Sequence, residues 1–239
     1  MANRPKRCWN VISRNIRTKI EYNSGTVKPL SFILALLLLS TLACSTTSIM
    51  ETLVPSGSVL YQDIFSNPNS GWGDLGSEAG AAGYANGAYR IVVNQPNINL
   101  WTHPGMDFAN IHEEVSLMTP DGPQANRMGL ICRLQDDKNF YFLAISADGF
   151  WGIGKMKDGA TSLLTGDQMQ KHDAVLTGTQ INRLRADCIG NLLILYVNDV
   201  LVGSATDSDF ASGDVGILAG TFDQPGVDVY FDNFVVYKP

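Results

Sequence analysis

One rhythm constrains this chain more than any other feature. From about Val59 to Pro239, short runs rich in β-branched and aromatic residues alternate with turn signals. The predicted strands are Val59–Phe65, Gly83–Ala85, Ala88–Val93, Ile98–Trp101, Ile111–Met118, Met128–Leu134 and Asn139–Ser146. They continue with Phe150–Met156, Thr161–Leu164, Asn182–Cys188, Leu192–Val197, Leu201–Ala205, Asp214–Ala219 and Asp228–Tyr237. Asn86-Gly87 and Asp148-Gly149 supply the positive φ that tight hairpins need. Gly190-Asn191 and Asn198-Asp199 do so more weakly. Only Gln168–Leu176 suggests a short helix, and it lacks a strong cap.

Strands without intervening helices exclude a parallel α/β sheet. The expected fold is all-β, a two-sheet antiparallel jelly-roll sandwich. Residues in Asn139–Ser146 are apolar on both faces. Phe140, Phe142 and Ala144 share one face, and Tyr141, Leu143 and Ile145 share the other. Such a strand belongs in mid-sheet, its outer face covered by loops or by a ligand. Glu113 shares parity with Ile111, Val115 and Leu117, the core side of its strand. Burying a carboxylate unpaired is costly. Either a bulge turns it out or a buried arginine answers it.

The N-terminal segment has a different character. Residues 1–43 hold seven Lys and Arg and a single acid, Glu21. An apolar run, Leu30–Leu39, leads into Ser40-Thr41-Leu42-Ala43-Cys44. Basic, apolar and small-residue zones in that order make a secretory signal. The apolar zone through Ala43 is 14 residues, whereas a spanning helix needs about 20. Residues 44–239 carry 10 basic residues against 22 acids. Such acidity argues against nucleic acid as a partner, because phosphate backbones demand Lys and Arg.

Leu42-Ala43-Cys44 resembles the end of a bacterial lipoprotein signal, in which cleavage precedes a lipid-modified Cys. Thr41 stands where that family's pattern has Leu. The resemblance implies lipidation at Cys44 and a membrane-anchored protein facing the periplasm or exterior. An ordinary cleaved signal and an uncleaved anchor are the alternatives. The expected organisation is a signal peptide over 1–43, a Ser/Thr-rich tether over 44–57 and one domain over 58–239. With Cys8 removed and Cys44 lipidated, Cys132 and Cys188 remain as an even pair in an oxidising compartment. They are expected to form a disulfide, the alternative being two buried thiols.

The runs Asp63–Trp72, Asn139-Phe140-Tyr141-Phe142, Asp148-Gly149-Phe150, Asn182-Arg183-Leu184-Arg185 and Phe231-Asp232-Asn233-Phe234 look like a concanavalin A-like (laminin G-like) jelly-roll family of exported bacterial proteins. The resemblance implies a sandwich over roughly Val59–Pro239. It leaves function open, because the superfamily holds lectins, glucanases, carbohydrate-binding modules and plain interaction domains.

Catalytic signals are scarce. A glucanase of this superfamily places Glu-x-Asp-x-Glu on one strand face, and the sequence has no such motif. Glu113 and Glu114 are strand neighbours, so they point to opposite sides. Asp228, Tyr230 and Asp232 share a face and form a weak alternative. His103, His112 and His172 are scattered and read as surface or loop residues. No catalytic residue is assigned. No cofactor is expected, except that Asp63 and Asp232, on first and last strands expected to pair, could hold a structural calcium. The other reading is that both bind backbone amides.

Sugar binding needs aromatic faces and a few polar forks. Tyr141, Phe150, Trp151 and Tyr196 are the ligand-binding candidates, with Trp72 and Trp101 in looser segments. Trp72 is also a candidate plug for one end of the sandwich. Asn139, Arg133, Arg185 and Asp148 are candidate forks. The expected function is a non-catalytic binding module for glycan or cell-envelope material. An atypical glycoside hydrolase and a protein-interaction domain are the alternatives. Oligomeric state is not legible.

Overall fold

The computed structural model describes residues 54–239. The predicted signal, Cys44 and most of the tether lie outside the described residues. Sixteen strands follow one another: β1 (Val59–Asp63), β2 (Leu75–Ser77), β3 (Gly80–Ala85), β4 (Ala88–Val93), β5 (Asn99–Thr102), β6 (Ile111–Asp121), β7 (Asn126–Asp136) and β8 (Asn139–Ile145). The series continues with β9 (Phe150–Lys157), β10 (Ala160–Leu163), β11 (Gln170–Lys171), β12 (Asn182–Ile189), β13 (Leu192–Val197), β14 (Val200–Thr206), β15 (Asp214–Thr221) and β16 (Val227–Tyr237).

Two antiparallel sheets result. The first runs β14-β13-β12-β6-β16-β4-β3-β2, with β1 also on β16. The second runs β10-β9-β8-β7-β15-β5, with β11 also on β9. Neighbours far apart in sequence, such as β6 and β16, pair across the sheet, while β7, β8 and β9 form a local meander. The first and last strands do pair, Asp63 opposite Phe234.

Turn chemistry explains the hairpins. Asn86 and Gly87 take φ of 56° and 77°, which join β3 to β4. Asn198 and Asp199 take 51° and 66° between β13 and β14, the two-residue turn that matches strand twist. The expected helix at Gln168–Leu176 is absent. Without a cap it loses to pairing: Gln170 and Lys171 sit opposite Trp151 and Phe150, and the chain then turns so that Val175 is buried.

Alternation fills the core. Ile111, Val115 and Leu117 of β6, Tyr141, Leu143 and Ile145 of β8, and Phe231 and Val229 of β16 are all buried between the sheets. Trp72 closes one end within an aromatic cluster. Its ring lies 4.8 Å from Phe234 and 5.2 Å from Phe65, both edge-on, and its Nε1 donates to the Tyr61 hydroxyl. Cys132 of β7 is bonded to Cys188 of β12, so the disulfide staples one sheet to the other.

Glu113 keeps its core parity and is 0% exposed. Both expected remedies are absent. The bulge nearest to it lies at Asn233 in the partner strand β16, and β6 keeps its alternating burial from Ile111 to Thr119. Neither carboxylate oxygen has a hydrogen-bond partner. Burial first, and the charge of Asp214 second, hold its pKa well above the ordinary carboxylate value.

Candidate binding cleft on the outer face of the second sheet

The apolar parity of β8 has a visible consequence. Its outward side chains, Phe140, Phe142 and Ala144, form a second cluster with Ile131, Leu134 and Leu218 on the side away from the main core. Trp101 and Met156 pack against it, with the Trp101 and Phe140 rings 5.3 Å apart. An apolar sheet face of this kind is either covered or used.

It is partly covered, and the gap is a cleft of about 420 Å³. That lies within the size range of ligand pockets, roughly 300–1,000 Å³. Phe142, Ala144 and Gly152 line it from the strands, Phe150 and Phe222 bring two further rings, and Met169 comes from the loop after β10. Gly154 sets the position of Phe142: a Cβ there would stand 2.3 Å from Phe142 Cζ. Missing side chains on β9 thus let an aromatic ring spread over the neighbouring strand.

Arg127, Asp148, Asp167 and Gln168 are among the cleft's polar lining residues. Arg127 donates from Nη1 to Asn99 Oδ1 at 2.8 Å and from Nη2 to the Thr221 carbonyl at 2.9 Å. Its guanidinium stands 4.2 Å from the centre of the Phe222 ring. Burial lowers its pKa from the ordinary arginine value, yet Nε has no partner. Asp148 accepts from the Ser146 hydroxyl, which fixes one of its oxygens. A narrow hollow shares Arg127, Phe142 and Thr161 with the cleft and reaches Asn99 and Trp101. Those two residues also border a second cavity of about 550 Å³ beside His103 and Lys138.

The four rings expected to bind a ligand are not brought together. Phe150 lines the cleft. Tyr141 faces the opposite way and is 0% exposed. Its hydroxyl donates to Asp207 at 2.7 Å and accepts from the Phe210 amide. Burial, then the Asp207 bond, pushes that hydroxyl up to about 12. Trp151 also points inward, seated over Gly203, where a Cβ would fall 1.9 Å from the ring. Tyr196 lies on the outer face of the first sheet, its ring 4.9 Å from the Arg185 guanidinium. Strand alternation sends Phe150 out and Trp151 in. Of the expected forks, Asp148 borders the cleft, Arg133 is buried on the Ala109 and Phe210 carbonyls, Asn139 binds Asp136, and Arg185 sits on the other sheet.

Asp63 and Asp232, the residues of the expected calcium site, each hold a nearby backbone amide, and the second oxygen of Asp63 is buried without a partner. Asp63 accepts from the Phe65 amide and Asp232 from the Asn233 amide. Among the described residues, the one group of three potential metal ligands is Glu113, Cys132 and Cys188. Asp228 is held by Arg90 through two bonds of 2.8 and 2.7 Å. The histidines are less idle than the sequence suggests. His103 pairs with the buried Asp214 at 2.6 Å, and His112, within β6, pairs with the buried Asp187 at 2.6 Å. His172 accepts from the Ala174 amide.

Comparison with solved structures identifies the architecture. A Bacillus subtilis protein with a galectin-like fold aligns with TM-score 0.56 at 12% identity, over 77% of this chain and 97% of that one. The catalytic domain of a Thermotoga petrophila endo-1,3-beta-glucanase (laminarinase) aligns with TM-score 0.54 at 9% identity, over 77% and 99%. A Flavobacterium laminarinase aligns with TM-score 0.54 at 12% identity, over 76% and 100%. No protein-family model matches the chain, and no curated protein does. The likeness is one of fold: a two-sheet antiparallel jelly-roll sandwich.

Proposed function

We propose that this chain is a membrane-anchored extracytoplasmic lipoprotein whose jelly-roll domain binds glycan in the cleft on its second sheet, without cleaving it. The cleft itself carries the reading. Three phenylalanine rings line it together with the polar residues Arg127, Asp148, Asp167 and Gln168. Pyranose rings present apolar C–H faces beside polar hydroxyls, and this arrangement answers both. The floor strands place no carboxylate in the cleft: the outward residues of β8 and β9 that line it are Phe142, Ala144, Phe150 and Gly152. Solved relatives by fold include laminarinases, which is consistent with a glycan ligand.

Anchoring rests on the Leu42-Ala43-Cys44 sequence. Among the described residues no helix is long and apolar enough to cross a membrane. A second reading has one supporting observation. Asp148 and Asp167 border the same cleft, so a hydrolase acting through that pair is the alternative. A glycan array and polysaccharide pull-down, followed by product analysis of every hit, separates them. Saturable binding with no released sugar supports the binding module. Reducing ends that appear with the native protein and vanish in Asp148→Asn or Asp167→Asn support the hydrolase.

A further inference from the structure

The core holds an arrangement that the glycan reading does not use. Glu113 is on β6 and Cys188 on the adjacent β12. Ala186 is opposite Glu113 and Ile111 opposite Cys188, so the two side chains are diagonal neighbours on the inward face. Cys132 reaches the same point from β7 in the other sheet. A carboxylate oxygen of Glu113 and both sulfurs lie within 4.8 Å of one another. All three residues are 0% exposed.

Glu113 gains nothing from this position while the disulfide is closed. Both its oxygens are buried and unpartnered. A valine or leucine would fill the same space without that cost. Asp214, the acid that acts on it electrostatically, is already committed: its oxygens take His103 Nδ1 and the amides of Gly105 and Val215. Glu113 therefore stands as a spare donor beside two sulfurs.

We propose that Glu113, Cys132 and Cys188 become a zinc-class metal site when the disulfide is reduced, so that a bound cation clamps the two sheets in place of the S–S bond. A dithiol reductant opens the site. It delivers two electrons and two protons, closes to its own disulfide and leaves two thiols. The entering cation then displaces both thiol protons and the carboxyl proton, and two metal–sulfur bonds and one metal–oxygen bond form. Two thiolates with one carboxylate suit a borderline-soft ion such as Zn²⁺ and not Ca²⁺ or Mg²⁺. Three donors leave a fourth tetrahedral position for water.

The test uses the full chain in detergent, reduced with a dithiol, desalted without air and titrated with Co²⁺. The expected result is a folded β protein that binds one Co²⁺ with sulfur-to-cobalt absorption in the near ultraviolet. Zn²⁺ displaces the cobalt and raises the melting temperature. Glu113→Gln, which keeps shape and both thiols, weakens cobalt binding by at least about tenfold, of the order seen when supporting metal groups are removed. The unreduced protein shows no such absorption. Absence of the band in reduced, folded protein overturns the proposal. Equal cobalt affinity in Glu113→Gln also overturns it, as does loss of the β fold on reduction, since no site then persists. None of these readouts depends on glycan binding.

Discussion

Replacing Glu113 by leucine is expected to stabilise the oxidised protein. The side chain is fully buried with both oxygens unpartnered. It faces the Cys132–Cys188 bridge and the charge of Asp214, while its cross-strand partners Ala186 and Val236 are apolar. A buried polar group without partners costs about 1–3 kcal/mol. Leucine has similar volume, and such swaps usually cost less than about 1.5 kcal/mol in packing. Proton linkage adds to the gain. The folded protein holds the proton to a pH well above 4.5, where the unfolded chain releases it. The unfolded state then binds fewer protons, so stability falls as pH rises from 4.5, by about 1.4 kcal/mol per unit, until the folded-state pKa is passed. Loss of the unpartnered group alone is worth about 1–3 kcal/mol, and the pH-dependent part adds to it as pH rises. A domain of this size shifts by about 2–4 °C per kcal/mol, so the melting point should rise by about 2–12 °C from the first effect alone. Non-reducing melts of wild type, Glu113→Leu and Glu113→Gln from pH 4.5 to 8 provide the assay. A leucine variant that melts at or below wild type throughout refutes the reasoning. A gap between the two that does not widen with pH refutes the linkage.

Three further outcomes are expected. Gly203→Ala puts a methyl 1.9 Å from Trp151 Cη2; displacing the indole should cost about 1–3 kcal/mol and redden its fluorescence, and unchanged stability would contradict that packing. Opening the bridge with Cys132→Ser and Cys188→Ser together should cost about 4 kcal/mol, from the loop entropy of a 56-residue separation, in denaturant melts. Cys44→Ser should release the protein from membranes into the soluble fraction, and retention with an intact signal would remove the lipid anchor from the account.

The sheet architecture was readable because its signals are local. Asn86-Gly87 and Asn198-Asp199 force turns whatever surrounds them, and β8 announces a mid-sheet position by being apolar on both faces. That same feature hides the site. When both faces are apolar, parity separates Tyr141 from Phe142 but does not say which one meets the opposing sheet. The choice is made by how the second sheet packs on the first, where Cys132, opposite Tyr141, is bonded to Cys188, a long-range fact. Arg127 sits at the start of β7, two residues beyond a turn, and only its position over Phe222 gives it a role. The strand β2, Leu75–Ser77, was invisible because it is short, exposed and contains glycine. The segment after β10 read as a helix, since nothing local reveals that Gln170 and Lys171 dock on β9. Glu113 was the reverse case: its parity was legible, and the expectation of a remedy was the error, because no partner was built for it.

The central claim is that glycan sits in the cleft of the second sheet, and affinity electrophoresis against the best polysaccharide from the array tests it most directly. Phe150→Ala removes a half-buried ring from the cleft, whereas Tyr196→Ala removes one from the first sheet. The account predicts that Phe150→Ala weakens binding at least about tenfold, or about 1.4 kcal/mol, while Tyr196→Ala binds as wild type. Full affinity in Phe150→Ala, or loss only in Tyr196→Ala, would place the ligand elsewhere and contradict the account.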